Sequence, residues 1–251
     1  MMNSPFTVRR TSGSNSNYNN NNNNNNLNNN LNLSDDNGMQ TIRILLLGDS
    51  GVGKTSVVNY LCDKSGEFAS SGWTVGCHLE AIIFESSSTG RNRKCLIEFI
   101  DIGGGSHGYA ASRSVFYTYD INAILLVHDL SNNRSFSNLF KWIDEFALAN
   151  GGGESSTICN KIPMLLVGNK LDKLNTKHRA NNNKRKQEHK QSMKNINIYN
   201  AIEISTLINN AKDPNNNHNH YNNNNQEYKM KFHDFFHHIL NNYNGQSVNR
   251  V

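Results

Sequence analysis

The stretch that decides the fold is Ile44–Leu61, which reads ILLLGDSGVGKTSVVNYL. It begins as a continuous apolar block, passes through Gly48, Gly51 and Gly53, and continues with apolar residues at helical spacing. A short continuous apolar run is typical of a strand covered on both faces, whereas apolar residues three and four positions apart are typical of a helix. The stretch therefore predicts a buried strand, a glycine-rich turn and a helix, in that order.

The turn in this stretch, Gly48–Thr55, fits the phosphate-binding pattern G-x-x-x-x-G-K-[ST] without a mismatch. Its glycines let successive backbone N–H groups point inward at a phosphate, and the helix that follows adds its positive N-terminal end. Lys54 would place an ammonium between the β- and γ-phosphates, and the Thr55 hydroxyl would face Mg²⁺. The alternative, a glycine turn without a ligand, is disfavoured by the strand before it and the helix after it. The remaining predicted phosphate-binding residues are Ser50, Gly51, Val52 and Gly53.

A second motif, EFIDIGG, ends an apolar strand. An acidic residue at a strand end, here Asp101, can hold Mg²⁺ through water. The backbone N–H of Gly104, three residues further on, can contact a γ-phosphate and so respond to its presence. Asp-x-x-Gly is common in ordinary turns, so the prediction depends on its position directly after a strand.

A third motif, LLVGNKLD, follows another apolar strand and predicts the base that is bound. The Asp172 carboxylate can accept two hydrogen bonds from the guanine edge, which adenine cannot donate. Sites built to bond a group reject analogues that lack it by roughly 10⁴ or more. Asn169 would tie this loop to the phosphate loop, and the Lys170 stem would cover the base face. A capping Asn beside a surface Asp is the alternative, which the neighbouring motifs disfavour.

Apolar blocks alternate with amphipathic segments along the rest of the chain, which predicts an α/β fold with a mostly parallel sheet. The segments CHLEAIIFES and KCLIEFIDIG flank a turn and predict a hairpin within that sheet. In such sheets the ligand lies beyond the carboxyl ends of the strands, where all three motifs fall.

The domain prediction is a disordered Asn/Ser-rich tail at 1–38, followed by one domain at 39–251 with polar inserts near 150–160, 173–195 and 213–226. The middle insert carries eight Lys/Arg residues. Such a segment is more often a solvated loop than a site for acidic lipid or RNA, so we expect no nucleic-acid partner.

Composition limits the cellular context. Only 36% of the residues are hydrophobic, the mean hydropathy is −0.66 and the net charge is +5. No apolar run has the length of a membrane span, and the ending NGQSVNRV lacks cysteine, so we expect no lipid anchor and a cytoplasmic location. The cysteines show no paired spacing, which indicates free thiols in a reducing compartment; they are Cys62, Cys77, Cys95 and Cys159.

Together with the motifs above, the segments GWTVGC, DIGG and LLVHDLSNNRS resemble the Ras superfamily of small GTPases, in its Rab-type branch and closest to the Rab-like protein three subgroup. The resemblance implies the three-layer P-loop NTPase fold of a small G domain, with GTP/GDP and Mg²⁺ as ligands. Thr74 matches the switch threonine that faces Mg²⁺ and the γ-phosphate. Ser205 and Thr206 lie where the family's last base-contacting loop would fall, although only Ser205 fits its usual sequence. The subgroup implies effector or regulator partners, a homodimer and no prenyl group.

One position departs from the Rab pattern. Where that pattern has the glutamine that orients the attacking water, this chain has Gly105, which has no side chain. We therefore expect nucleotide binding to survive and hydrolysis to be slow, and we assign no catalytic side chain. His107 is a candidate replacement, although a histidine in a loop is usually just solvated.

Three functions remain open at this stage. The first is a guanine-nucleotide switch with slow hydrolysis, favoured by the intact Lys54, Thr55 and Thr74. The second is a scaffold that holds its nucleotide without cleaving it, favoured by Gly105 and the glycine-rich switch. The third is an ATP-using P-loop kinase, which the Asp172 motif disfavours.

Overall fold

The strands and helices alternate in the structure, a computed structural model that describes residues 6–7, 39–64, 74–88, 91–105, 110–151, 160–174, 182–206 and 218–242. The strands in these ranges are β1 (Phe6–Thr7), β2 (Gln40–Leu47), β3 (Cys77–Ser88), β4 (Arg91–Ile102), β5 (Ala123–Asp129), β6 (Met164–Asn169) and β7 (Ile198–Glu203). The helices are α1 (Lys54–Leu61), α2 (Ala110–Tyr117), α3 (Asn133–Ser137), α4 (Leu139–Ala149), α5 (Asn182–Ser192) and α6 (His218–Asn242).

All seven described strands form one sheet in the order β1-β3-β4-β2-β5-β6-β7. Strand β2 runs parallel to β4 and β5, and the pairs β5–β6 and β6–β7 are also parallel. Strand β3 is antiparallel to β4, as the predicted hairpin requires, and β1 is antiparallel to β3. The predicted α/β fold with a mostly parallel sheet is confirmed. The carboxyl ends of β2, β4, β5 and β6 consequently meet at one edge.

The continuous apolar run of β2 is explained by a core on each face of the sheet. Ile44 and Leu46 pack in one buried cluster with residues of α1 and α6, whereas Leu45 and Leu47 pack in another with residues of α4. These four side chains have no exposed surface. The sheet is thus the middle of three layers. Because both of its faces are covered, a site can form at the edge where the carboxyl ends of the parallel strands meet.

The segments predicted as polar inserts contain more regular structure than expected. The basic insert contains α5, and α6 begins at His218, within the insert predicted at 213–226. Helix α5 docks because Met193, just beyond its end, is only 1% exposed and the His189 ring stacks on Phe136 with centroids 3.6 Å apart. The early start of α6 follows from cooperativity, since extending a docked helix costs far less than nucleating one.

The segment predicted as a disordered tail contributes β1, whose two residues pair with Phe84 and Ile83 of β3. The rest of 1–38, residues 152–159 of the first insert and His107 lie outside the described residues. None of the helices in the described ranges combines the length and the apolar content of a membrane span.

Candidate functional site

The phosphate loop connects the end of β2 at Leu47 to the start of α1 at Lys54. Gly53, the residue before the helix, has φ = 96°, in the left-handed region that favours glycine. A Cβ at this position would also collide with the side-chain amide of Asn169. The glycine at position 53 is therefore required both by the turn and by the close approach of the loop after β6.

A cleft of about 290 Å³ opens at this edge of the sheet. Its walls come from the phosphate loop, the two segments that follow α1 and β4, and the loops after β6 and β7. The lining residues are Ser50, Gly51, Gly53, Lys54, Thr55, Ser56, Thr74, Gly104, Asn169, Lys170, Asp172, Lys173 and Thr206. The three motifs that the sequence places after separate strands thus meet in one concave space.

Lys54 lies at the bottom of the phosphate loop with only 6% of its surface exposed. Its Nζ donates to the Gly48 carbonyl at 2.8 Å and to the Asp49 carbonyl at 3.1 Å. Burial lowers the pKa of Lys54 to about 8, and the nearby carboxylates of Asp101 and Asp49 oppose that shift. A phosphate in the cleft would supply the negative charge that favours the ammonium form.

The three predicted Mg²⁺ ligands lie together beside Lys54. The Thr55 hydroxyl donates to Asp101 Oδ2 at 2.5 Å and lies 3.1 Å from the Thr74 hydroxyl. Asp101 is fully buried, and burial raises the pKa of its carboxyl. Its Oδ1 has no hydrogen-bond partner among the described residues. A divalent cation fits this arrangement, because it would satisfy the orphaned carboxylate oxygen and take hard oxygen ligands from both hydroxyls.

The loop after β6 is tied to the phosphate loop by two side chains. Asn169 is 1% exposed, and its Nδ2 donates to the Val52 carbonyl at 3.1 Å. Lys170 Nζ donates to the Gly51 carbonyl at 2.6 Å and to Asp129 Oδ2 at 2.8 Å. The Lys170 stem consequently lies along one wall of the cleft.

The loop after β7 supports the residues expected to read the base. The Ser205 hydroxyl donates to Asp172 Oδ1 at 2.5 Å, and the buried Thr206 hydroxyl donates to Asn169 Oδ1 at 3.2 Å. Ser205 and Thr206, which match the family's last base-contacting loop only in part, therefore bond to Asp172 and Asn169 of the motif that predicts the base. Asp172 itself is exposed, so its carboxylate is accessible from the cleft.

The segment after β4 packs on its neighbours through backbone contacts. The Gly104 carbonyl accepts from the Ser50 N–H at 2.9 Å, and the Gly103 N–H donates to the Gly76 carbonyl at 2.9 Å. A Cβ on Gly104 would collide with the phosphate-loop backbone and lie 2.6 Å from Lys54 Nζ. Only glycine fits this close approach, which brings the segment directly against the phosphate loop.

Four predicted residues do not line the cleft but adjoin residues that do. Val52, Asp101 and Ser205 bond to Asn169, Thr55 and Asp172 respectively, and Gly105 follows Gly104. Three further residues contribute to the cleft or its walls that none of the predicted motifs included, namely Ser56, Lys173 and Asp129. Asp129 could have been found, because it ends the apolar strand β5 and so falls at the same edge as the motifs.

Comparison with known proteins agrees with this geometry. The sequence profile described as the Ras family matches residues 43–228. Rab-like protein 3 of Bos taurus is 36% identical in an alignment of length 157 that covers 56% of this chain and 65% of that protein. Rab-like protein 3 of Mus musculus is 36% identical in an alignment of length 152 that covers 54% of this chain and 63% of that protein. The Small GTPase LIP1 of Arabidopsis thaliana is 35% identical in an alignment of length 147 that covers 52% of this chain and 41% of that protein.

The chain covers less than two thirds of the length of each of these relatives. The family match, in contrast, spans well over half of the chain and runs from β2 into α6. The chain therefore belongs to the Ras family of small GTPases, in its Rab-like branch.

Proposed function

We propose that this chain binds GTP and GDP with Mg²⁺ and acts as a regulatory switch with slow intrinsic hydrolysis. One observation carries the proposal: a buried lysine, a buried carboxylate with an orphaned oxygen and an exposed Asp at the base loop lie in or directly beside a single cleft, the carboxylate being bonded to the lining residue Thr55. The first two suit a polyphosphate and its metal, and the third suits a guanine edge.

The phosphate-binding roles follow from charge and burial. The amides of the phosphate loop face the β-phosphate, and the buried Lys54 ammonium neutralises the β- and γ-phosphates. Thr55, Thr74 and Asp101 would hold the Mg²⁺, directly or through water. The metal would offset the negative charge of the phosphates. The Gly104 N–H would contact the γ-phosphate and so respond to its presence.

Guanine selection rests on Asp172. Ser205 bonds one of its carboxylate oxygens and so orients the group toward the N1–H and 2-amino donors of the base. An adenine lacks both of these donors, which disfavours the ATP-using kinase. Thr206 would act indirectly, because it bonds to Asn169 and so helps to hold the loop that carries Asp172.

Slow hydrolysis is proposed because Gly105 stands where the family has its water-orienting glutamine. A partner would have to supply both the missing side-chain function and any transition-state charge. Exposed apolar residues near the switch threonine provide a surface for such regulators or effectors: Val75 is 89% and Leu79 66% exposed. Family resemblance adds a homodimer to the proposal.

The second candidate function is a scaffold that retains its nucleotide without cleaving it. The observation that favours it is the glycine segment, in which Gly104 already packs on Ser50 and Gly103 on Gly76. Because these backbone contacts already hold the segment, a γ-phosphate would change its conformation little. The nucleotide would then be a structural ligand.

Two measurements test these functions. The nucleotide that co-purifies with the chain should be GDP or GTP, and Lys54→Ala should emerge empty because it lacks the buried ammonium. A preparation that is empty and gains no thermal stability from guanine nucleotides with Mg²⁺ would refute the proposal. A single-turnover assay with bound GTP then separates the candidates, since no phosphate release over hours would leave only the scaffold.

A further inference from the structure

A buried arginine contacts the switch segment from helix α2. Arg113 is 5% exposed, and its Nη1 donates to the Gly105 carbonyl at 2.8 Å. Gly105 directly follows Gly104, the residue whose carbonyl bonds to the phosphate loop. Because Gly105 has no side chain of its own, its backbone carbonyl is the group through which neighbouring residues can hold it.

The rest of the guanidinium is fixed by helix α4. Arg113 Nε donates to Glu145 Oε1 at 2.8 Å and Nη2 to Glu145 Oε2 at 3.0 Å, which is a two-pronged ion pair. The Tyr117 hydroxyl donates to the same Oε1 at 2.9 Å. The arginine is therefore held in one orientation, and a lysine could not reproduce its planar fork.

The same arginine is linked to the phosphate loop through an indole. The Arg113 guanidinium lies over the Trp142 ring, 4.8 Å from its centroid. Trp142 Nε1 donates to Asp49 Oδ1 at 2.9 Å, and Asn138 Nδ2 donates to Asp49 Oδ2 at 2.7 Å. Asp49 is the second residue of the phosphate loop. Trp142 and Asn138 therefore hold the phosphate loop, and Arg113 holds the switch segment that packs on it.

We infer that Arg113 is a positioning residue that sets the distance between the switch segment and the phosphate loop. This inference rests on the proposed guanine-nucleotide function. Under that function, the switch segment would lie at the γ-phosphate and away from the base and the α-phosphate. Loosening it should therefore weaken binding of a GTP analogue while leaving GDP binding almost unchanged.

The deciding variant is Arg113→Lys, which keeps a cation but loses the fork. Affinities for GDP and for a non-hydrolysable imido analogue of GTP are measured with Mg²⁺, and their ratio is compared with that of the wild-type chain. We expect the ratio of dissociation constants, analogue over GDP, to rise about tenfold, as the loss of one charge-assisted hydrogen bond predicts. A purely structural ion pair would change both affinities by one factor.

The matched control is Arg43→Lys, because Arg43 Nε forms a comparable ion pair with Glu98 Oε2 at 2.9 Å between β2 and β4, and neither residue lines the cleft. Its ratio should equal that of the wild type. A second variant, Trp142→Phe, keeps an aromatic ring beneath the Arg113 guanidinium and removes the bond to Asp49. Its effect on the ratio should be smaller and should combine with Arg113→Lys less than additively, since both act on one network.

Melting curves establish that each variant is folded. Should Arg113→Lys not fold, Glu145→Gln provides the same test, because it removes the anchoring charge and keeps the side-chain size. An unchanged ratio in folded variants that still bind GDP would overturn the inference alone. A wild-type chain that binds neither nucleotide would overturn the proposed function, and this inference with it.

Discussion

At the scale of single residues, several polar side chains at the cleft are held by a neighbour from another part of the chain. Ser205 holds Asp172, Thr206 holds Asn169, and Thr55 bonds to Asp101. Such cross-links pre-set the orientation of each side chain before a ligand arrives. The conformational entropy of these side chains is therefore lost on folding and not on binding.

The first prediction concerns base selection. Asp172→Asn should weaken GDP binding by roughly two orders of magnitude, because two charge-assisted bonds to the guanine edge are lost. Ser205→Ala should cause a smaller loss, since it only releases the carboxylate from its orientation. Titration calorimetry with GDP and ADP measures both effects. Asp234→Asn, an exposed change on α6, is the control for charge, and equal GDP and ADP affinities in the wild type would contradict the assignment.

At the scale of secondary-structure elements, α5 shows why composition misleads. The insert reads as a solvated charged loop, yet its backbone is helical and its end is anchored by Met193 in the core cluster that includes residues of α4. Few apolar residues are needed when they are placed at the point of contact. A periodicity search misses this because one methionine after the helix leaves no repeating pattern.

The second prediction tests that docking. Met193→Ala should lower the free energy of unfolding by about 2–5 kcal/mol, the usual cost of truncating a fully buried methionine. Met230→Ala is the matched control, since Met230 is 60% exposed and its truncation should cost little. Urea denaturation of the two variants gives the comparison. Equal stabilities would mean that the insert does not pack on the core.

The contact between α2 and α4 leads to a third prediction, on pH. Burial pushes the pKa of the Glu145 carboxyl upward, but the bonds from Arg113 and Tyr117 outweigh it, so the pKa lies below its ordinary value of 4.5. A group with a lowered pKa in the folded state stabilises the fold above pH 4.5, and that contribution is lost as the pH falls through the lowered value. The stability gap between wild type and Glu145→Gln should therefore shrink below pH 4.5.

Melting temperatures from pH 7 down to pH 3 check this expectation. The control is Glu85→Gln, because Glu85 forms an exposed ion pair with Lys94 and its loss should matter little at any pH. A gap for Glu145→Gln that stays constant across the range would show that the carboxylate charge does not stabilise the contact.

At the scale of the whole molecule, all the residues that line the cleft lie between Ser50 and Thr206, at the carboxyl ends of the parallel strands. The fourth prediction follows: deleting residues 1–38 should leave GDP affinity and retention unchanged, although it removes β1 from the edge beside Ile83 and Phe84. Dissociation of a fluorescent GDP analogue from the truncated and full chains measures this. Lost binding after the deletion would refute a domain boundary at residue 39.

The sequence by itself determined the fold class, the family and most of the side chains around the cleft, because a strand–glycine loop–helix pattern and short motifs at strand ends are local signals. Parallel strands bring such ends to one edge, so the motifs had to meet. Only the tertiary structure decided which of these residues touch, and it alone linked Arg113 of α2 and Asp49 of the phosphate loop to Trp142 and Glu145 of α4. Contacts of that kind depend on how helices pack on the sheet, and no local pattern encodes helix packing.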